Sequence, residues 1–223
     1  MQENFRQFLD RLRQAGELVD LHQAVDIRHI ATLVDQSKTA LYFHKVIGYD
    51  MPVVSGLIRT RERAIAALGC ETYREIEDKL KQAIDHPIPP KYVKSSPTRE
   101  VVLAGDDVDL YKLPIPMSSI FDGGPMITAG VVITRDPELG INSGIYRFIV
   151  KEKNLTGIDI VTPNNMRMFA QRAFQQGRPL PISISIGTHP IEITACQNAQ
   201  PPSVTLMSLT TTPAVLSAWR IAA

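Results

Sequence analysis

The sequence predicts an α+β protein in two parts, and three observations carry that expectation. Strand-like and helix-like segments alternate through the first third of the chain, the signature of an α/β layer. The stretch Pro87-Ile88-Pro89-Pro90 then ends the alternation inside a linker over residues 85–98. Beyond it the texture becomes rich in β-branched residues and turns, so a β-rich second part is expected.

In the first part, Phe5, Phe8, Leu9 and Leu12 recur at helical spacing, and Gly16 follows where a helix would stop. Glu17 to Leu21 reads as a strand and Ile30 to Gln36 as a short helix. Ala40 to Val46 and Met51 to Gly56 read as strands around a turn at Gly48 to Asp50. Arg61 to Leu68 is a helix ended by Gly69, and the capping box from Thr72 to Glu75 opens another that runs to about Ala83. In the second part, strands are expected at Arg99 to Leu103, Met126 to Thr134, Ile145 to Lys151 and Ile182 to Ile186. Thr162 and Pro163 open a helix through Met166, Phe169, Ala170 and Ala173 to Gly177, with threonine as cap and proline in the first turn. After Glu192 the chain contains no acid, and residues 197–223 show neither helical nor strand periodicity.

Composition excludes several classes. The net charge is +1 and no basic stripe suggests nucleic acid or an anionic membrane surface. Apolar runs are too short to span a bilayer, and the amphipathic, acid-bearing N-terminus lacks the core of a signal peptide, so a soluble cytoplasmic protein is expected. Cys70 and Cys196 have no metal spacing and are expected to be reduced, buried small residues. His44, His86 and His189 show no ligand pairing and are expected to be structural or on the surface. No Walker, G-x-S-x-G or G-x-G-x-x-G pattern is present.

The hexapeptide N-S-G-I-Y-R, residues 142–147, is the segment with chemical content. Alternation along the strand puts Ile145, Arg147 and Ile149 on one face and Tyr146, Phe148 and Val150 on the other. Arg147 is then either a solvated arginine on the open side of a barrel strand or a clamp for a two-oxygen anion. Asn142 is either a turn amide or a hard oxygen ligand for Mg²⁺, Mn²⁺ or Ca²⁺. Asn164 and Asn165, in the first turn of a helix, either cap it or help to hold a phosphate.

Several segments, in order, resemble the UbiD-type decarboxylases, which use prenylated FMN. They are F-R-Q-F-L-D-R-L-R-Q-A-G-E-L, A-L-Y-F-H-K-V-I-G, R-A-I-A-A-L-G, V-D-L-Y-K-L-P-I-P, I-T-A-G-V-V-I-T-R-D-P, N-S-G-I-Y-R and R-P-L-P-I-S-I-S-I-G-T-H-P. The pairing of L-P-I-P with N-x-G-I-Y-R is the most specific, and the resemblance covers residues 1 to about 196. It implies an N-terminal α/β domain with linker over 1–98, a partial split β-barrel of the flavin-reductase-like kind over 99–196, and a divergent tail over 197–223. It implies prenylated FMN lying against the barrel with its phosphate bridged to Mn²⁺ and K⁺. Asn142 falls on the metal-binding asparagine, and Ile145, Tyr146 and Arg147 on the flavin-contacting segment, with Arg147 as the catalytic arginine. Asp159, Ile160 and Val161, then Asn164 and Asn165, fall on further cofactor-contacting stretches, and Thr194 to Cys196 near the phosphate.

The implied reaction is reversible, non-oxidative decarboxylation of an aromatic or α,β-unsaturated acid, such as a hydroxybenzoate. The flavin serves as electron sink, the arginine orients the carboxylate, and a glutamate donates the proton. A flavin prenyltransferase would supply the cofactor, and the family is homo-oligomeric. Members are longer than this chain and carry a metal-binding glutamate and acidic catalytic partners beyond the point matching Cys196. The acid-free tail is therefore expected to mark a truncation, most simply a shift of reading frame, leaving a weakly active or inactive form. The competing expectations are a non-catalytic flavin-binding remnant and a flavin-reductase-like module.

Overall fold

The computed structural model describes residues 3–86, 88, 93–160 and 163–198 and the strand at 214–221, with residues 97, 197–198 and 214–221 described through their backbone only. Helix α1 (Phe5–Gln14) opens with a reciprocal cap: Asn4 Oδ1 accepts the Gln7 amide and Gln7 Oε1 accepts the Asn4 amide, each at 2.9 Å. Its apolar stripe buries Phe8, Leu9 and Leu12, and Gly16, at φ 71°, turns the chain out of the helix.

Strand β1 (Leu18–Leu21) runs parallel to β2 (Ala40–Phe43), connected through helix α2 (Ile30–Gln36). Strand β3 (Val53–Ser55) pairs antiparallel on the other side of β2. The alternation of β2 sorts two cores. Ala40 faces Phe8, Leu9, Leu12, Leu18 and Ala67, whereas Leu41 and Phe43 face Ile30, Val34 and Val46. Helices α3 (Arg61–Ala67) and α4 (Tyr73–Asp85) follow, capped by Thr60 and Thr72. Arg63, 1% exposed, donates to Glu17 Oε2 at 2.8 Å and to the carbonyls of Lys38 and Gly56, which offsets the cost of burying its charge.

The second part is an open antiparallel sheet. It contains β4 (Met126–Asp136), β5 (Gly140–Glu152), β6 (Leu155–Ile158), β7 (Leu180–Ile186) and β8 (Ala214–Ile221), in the order β6-β5-β4-β7-β8. Register shifts between Ile127 and Gly130 and between Val150 and Glu152 interrupt the ladders and curl the sheet into a half-barrel. Helix α5 (Asn165–Gln175) buries Met166, Phe169, Ala170 and Ala173 against Val132, Phe148, Val150, Leu180, Ile182 and Ile184. Helix α6 (Pro190–Asn198) leaves the end of β7 and packs on β5. No helix among the described residues is long and apolar enough to cross a membrane.

Several expected elements differ. Arg99 to Leu103 is not a strand. A 3-10 turn at Pro97–Arg99 precedes Val101, Val102 and Leu103, which lie exposed without a partner strand to reward their β-propensity. β5 starts earlier than the apolar run because its hairpin turn is anchored at Asp136. There Asp136 Oδ1 accepts the Glu138 and Leu139 amides at 3.0 Å, and Oδ2 accepts from Arg178 at 3.1 Å. The cap of α5 is Asn164, whose Oδ1 accepts the Arg167 amide at 2.9 Å, while Thr162 lies outside the described residues. β6, α6 and β8 have no counterpart in the sequence reading, and β8 lies in the tail read as aperiodic.

Candidate functional site

Asn142 to Arg147 occupy the middle of β5, with Asn142 opposite Thr134, Ile145 opposite Val131 and Tyr146 opposite Gly130 on β4. Asn142 is therefore a strand residue and not a turn amide, and it is 3% exposed. Its Nδ2 donates to the Tyr146 hydroxyl at 3.5 Å, which leaves the amide oxygen as an acceptor. The glycine between them is required. A Cβ on Gly144 would stand 2.9 Å from the Tyr146 ring, so only glycine lets the tyrosine fold back over its own strand. Burial is the main force raising the Tyr146 hydroxyl above its ordinary value, partly offset by Asn142 and the Met166 amide at the start of α5. Tyr146 thus packs against the core that α5 buries.

Arg147 points the other way, with its side chain 63% exposed. Its Nη2 meets Asp159 Oδ2 at 2.6 Å, and the Asp159 amide donates to the Arg147 carbonyl at 3.0 Å. The carboxylate that the arginine meets in this chain is therefore an aspartate just past β6. Asp159 and Arg147, two of the residues singled out from the sequence, are brought into direct contact. Ile160 follows, half-buried against the α5 core, and Val161 lies outside the described residues. Asn165 is the first residue of α5, beside the capping Asn164.

Sequence reasoning missed Glu192 and Ser143. Helix α6 presents Glu192 and Cys196 one turn apart, both about 5% exposed or less. Glu192 Oε1 has no hydrogen-bond partner, and burial pushes its carboxyl up to about 7. Burial likewise pushes the Cys196 thiol up to about 11, the Ser143 hydroxyl offsetting part of that rise. The Ser143 hydroxyl is buried and makes no hydrogen bond of normal geometry. Cys70 is only half-buried, and both cysteines are free. The segment P-I-E-I-T-A-C offers no one-sided apolar stripe, so nothing in it announced a helix with a buried acid.

The amide oxygen of Asn142 is a hard donor of the type that Mg²⁺ or Mn²⁺ takes. No group of three His, Cys, Asp or Glu side chains able to hold a metal occurs among the described residues. Asn142 thus fits an ion in donor type, as a single ligand.

Two family models match the chain. One describes a 3-octaprenyl-4-hydroxybenzoate carboxy-lyase N-terminal domain, over residues 9–80. The other describes the Rift-related domain of the same carboxy-lyase, over residues 91–222. The second match runs well past Cys196, so the likeness does not stop where the sequence reading ended it. The anhydromevalonate phosphate decarboxylase of Methanothermobacter thermautotrophicus is 30% identical over 88% of this chain and 45% of its own. The phenolic acid decarboxylase of Sedimentibacter hydroxybenzoicus is 29% identical over 85% of this chain and 43% of its own.

Among solved structures, the UbiD-class enzyme HmfF of Pelotomaculum thermopropionicum in complex with FMN superposes with a TM-score of 0.85 at 34% identity. That match covers 91% of this chain and 46% of HmfF. An evolved dimeric form of HmfF in complex with prFMN gives 0.86 at 31% identity, covering 97% of this chain and 55% of that one. The chain thus spans less than half the length of the two curated decarboxylases. The matched domains together take in both the mixed N-terminal sheet and the half-barrel carrying N-S-G-I-Y-R, and the chain belongs to the UbiD family of 3-octaprenyl-4-hydroxybenzoate carboxy-lyases.

Proposed function

We propose that this chain binds prenylated FMN against β5 and serves the reversible, non-oxidative decarboxylation of an aromatic or α,β-unsaturated acid such as a hydroxybenzoate. The observation that carries the reading is β5 itself. One strand presents an acceptor amide oxygen at Asn142, a tyrosine seated over Gly144, and an exposed guanidinium at Arg147. The decarboxylase names of the relatives and the flavin in the HmfF structures support it.

Bound prenylated FMN supplies an electron sink for the departure of CO₂. The chain's own residues position and charge the surroundings. Ile145, Tyr146 and Arg147 would form the segment that contacts the cofactor, with Asp159, Ile160, Asn164 and Asn165 as further contacts. Asn142 would hold Mn²⁺ through its amide oxygen, with K⁺ as a second ion of the cofactor site. Arg147 would receive the substrate carboxylate bidentately on the guanidinium edge that Asp159 leaves open. The cofactor domain in this reading is the split barrel of residues 99–196, of the flavin-reductase-like kind.

Coexpression with a flavin prenyltransferase tests the reading. The purified chain should be yellow, retain flavin and Mn²⁺ through gel filtration, and lose flavin when Asn142 is replaced by alanine. Assays with hydroxybenzoates then measure CO₂ release. A colourless protein that takes up neither FMN nor its prenylated form overturns the proposal.

A further inference from the structure

Among the described residues, five buried side-chain polar atoms lack a hydrogen-bond partner, and three of them lie within one short stretch of chain. Thr188 Oγ1, His189 Nε2 and Glu192 Oε1 lie at the β7–α6 junction, and Ser143 Oγ lies on β5, against which α6 packs. Buried polar atoms are normally satisfied, so this concentration requires an explanation. His189 provides one, because its ring is held by two elements at once.

The imidazole is 4% exposed and packs on Phe8 of α1, with ring centroids 4.8 Å apart. Nδ1 accepts the Ile191 amide at 3.2 Å. An accepting ring nitrogen carries no proton, so the hydrogen of the neutral ring sits on Nε2. Nε2 looks toward Glu3 Oε2 at 3.7 Å, beyond hydrogen-bond reach. Glu3 is gripped by Arg11 at 2.8 and 2.7 Å, and Arg11 also donates to the Ala66 carbonyl of α3 at 2.9 Å. The ring therefore stands where α1, α3 and α6 meet. Pro190 has no amide hydrogen, so Ile191 carries the first helix donor that needs a cap.

We infer that His189 is a proton-operated clasp between α1 and α6. Neutral, it caps α6 through Nδ1; protonated, it gives up that cap and closes on the Glu3 carboxylate through Nε2. The proton comes from solvent. One hydrogen bond is lost, leaving the Ile191 amide unpaired, and one charge-assisted bond is gained. A cation at the N-terminus of α6 also opposes the helix dipole, which loosens the first turn further. Burial holds the ring neutral to a lower pH than usual, Glu3 draws the proton on, and Arg11 opposes it. On its own helix the next titratable group is Glu192, and α3 meets the clasp through the Ala66 carbonyl.

Helix α6 carries Glu192 and Cys196 onto β5 beside Ser143, so the clasp reaches the candidate site. That consequence rests on the proposed cofactor reading, whereas the clasp itself does not.

Nitrogen-15 NMR of the full chain, titrated from pH 8 to 5, tests the clasp directly. At pH 8 the His189 ring should show the Nε2–H tautomer. As pH falls toward the ring's pKa the protection factor of the Ile191 amide should fall by up to about tenfold per pH unit, levelling off below it. Glu3→Gln should move that fall to lower pH. His189→Asn, whose side-chain oxygen can cap but cannot take the proton, should hold the protection flat. An Nδ1–H tautomer overturns the clasp, as does an identical fall in wild type and His189→Asn. Should His189→Asn fail to fold, the wild-type tautomer and the Glu3→Gln shift decide. A chain that binds no flavin at either pH defeats the cofactor reading and leaves these results standing.

Discussion

Arg147 stands out from β5 with most of its surface in water, and its bond to Asp159 is a single contact between exposed groups. Exposed pairs of this kind contribute about 0–1 kcal/mol, so its purpose is not stability. Arg147→Ala should therefore leave the denaturation midpoint close to wild type while abolishing CO₂ release from any acid that the holoprotein turns over. A loss of stability comparable to a core truncation contradicts this assignment. Glu192 behaves oppositely. Burial raises its folded carboxyl from 4.5 to about 7, so its favourable state is the protonated one. The contribution is fully present below 4.5 and is lost as pH rises through about 7. Glu192→Gln should stabilise the apo chain at pH 8 by about 3 kcal/mol and change nothing near pH 4, as read by urea denaturation. The His189 contribution runs the other way with pH but is common to both chains and cancels in the comparison.

Elements are held by a few local rules that this chain applies at its turns. Asp136, fully buried at the β4–β5 turn, gathers two backbone amides and two arginines from α5 and its exit, which fixes where β5 begins. The backbone amide of Leu139 is the largest influence holding its carboxyl below the ordinary range. That anchor is why Asn142 lies inside a strand and not in the loop before one. At the start of α5, Asn164 closes the first turn through the Arg167 amide. Asn164→Ala should cost about 1 kcal/mol of stability, measured by thermal or urea unfolding, without moving the α5 stripe out of the core. Pattern readings succeed where one face is wet and one is dry, as for α1 and α5. They fail for α6, whose polar residues are buried with its apolar ones, and for Val101 to Leu103, whose strand-like composition finds no strand to pair with.

Across the whole molecule, Phe8 connects the parts: it is fully buried in the N-terminal core and its ring meets His189 beyond β7. Phe8→Ala should cost about 3–5 kcal/mol. Hydrogen exchange should then show α6 losing protection together with α1, whereas independent parts would leave α6 unchanged. What the sequence determined is local. The α+β class, the core faces of α1 and α5, the central strands and the N-S-G-I-Y-R motif all follow from periodicity, caps and turn residues, which act over a few positions. The tertiary structure decided which distant groups meet. Asp159 became the partner of Arg147, Tyr146 folded over Gly144, Glu192 was buried on α6, and His189 was buried against Phe8 of α1. Such pairings depend on register, bulges and crossovers between elements far apart in the chain, and no local pattern encodes the burial that sets their charge.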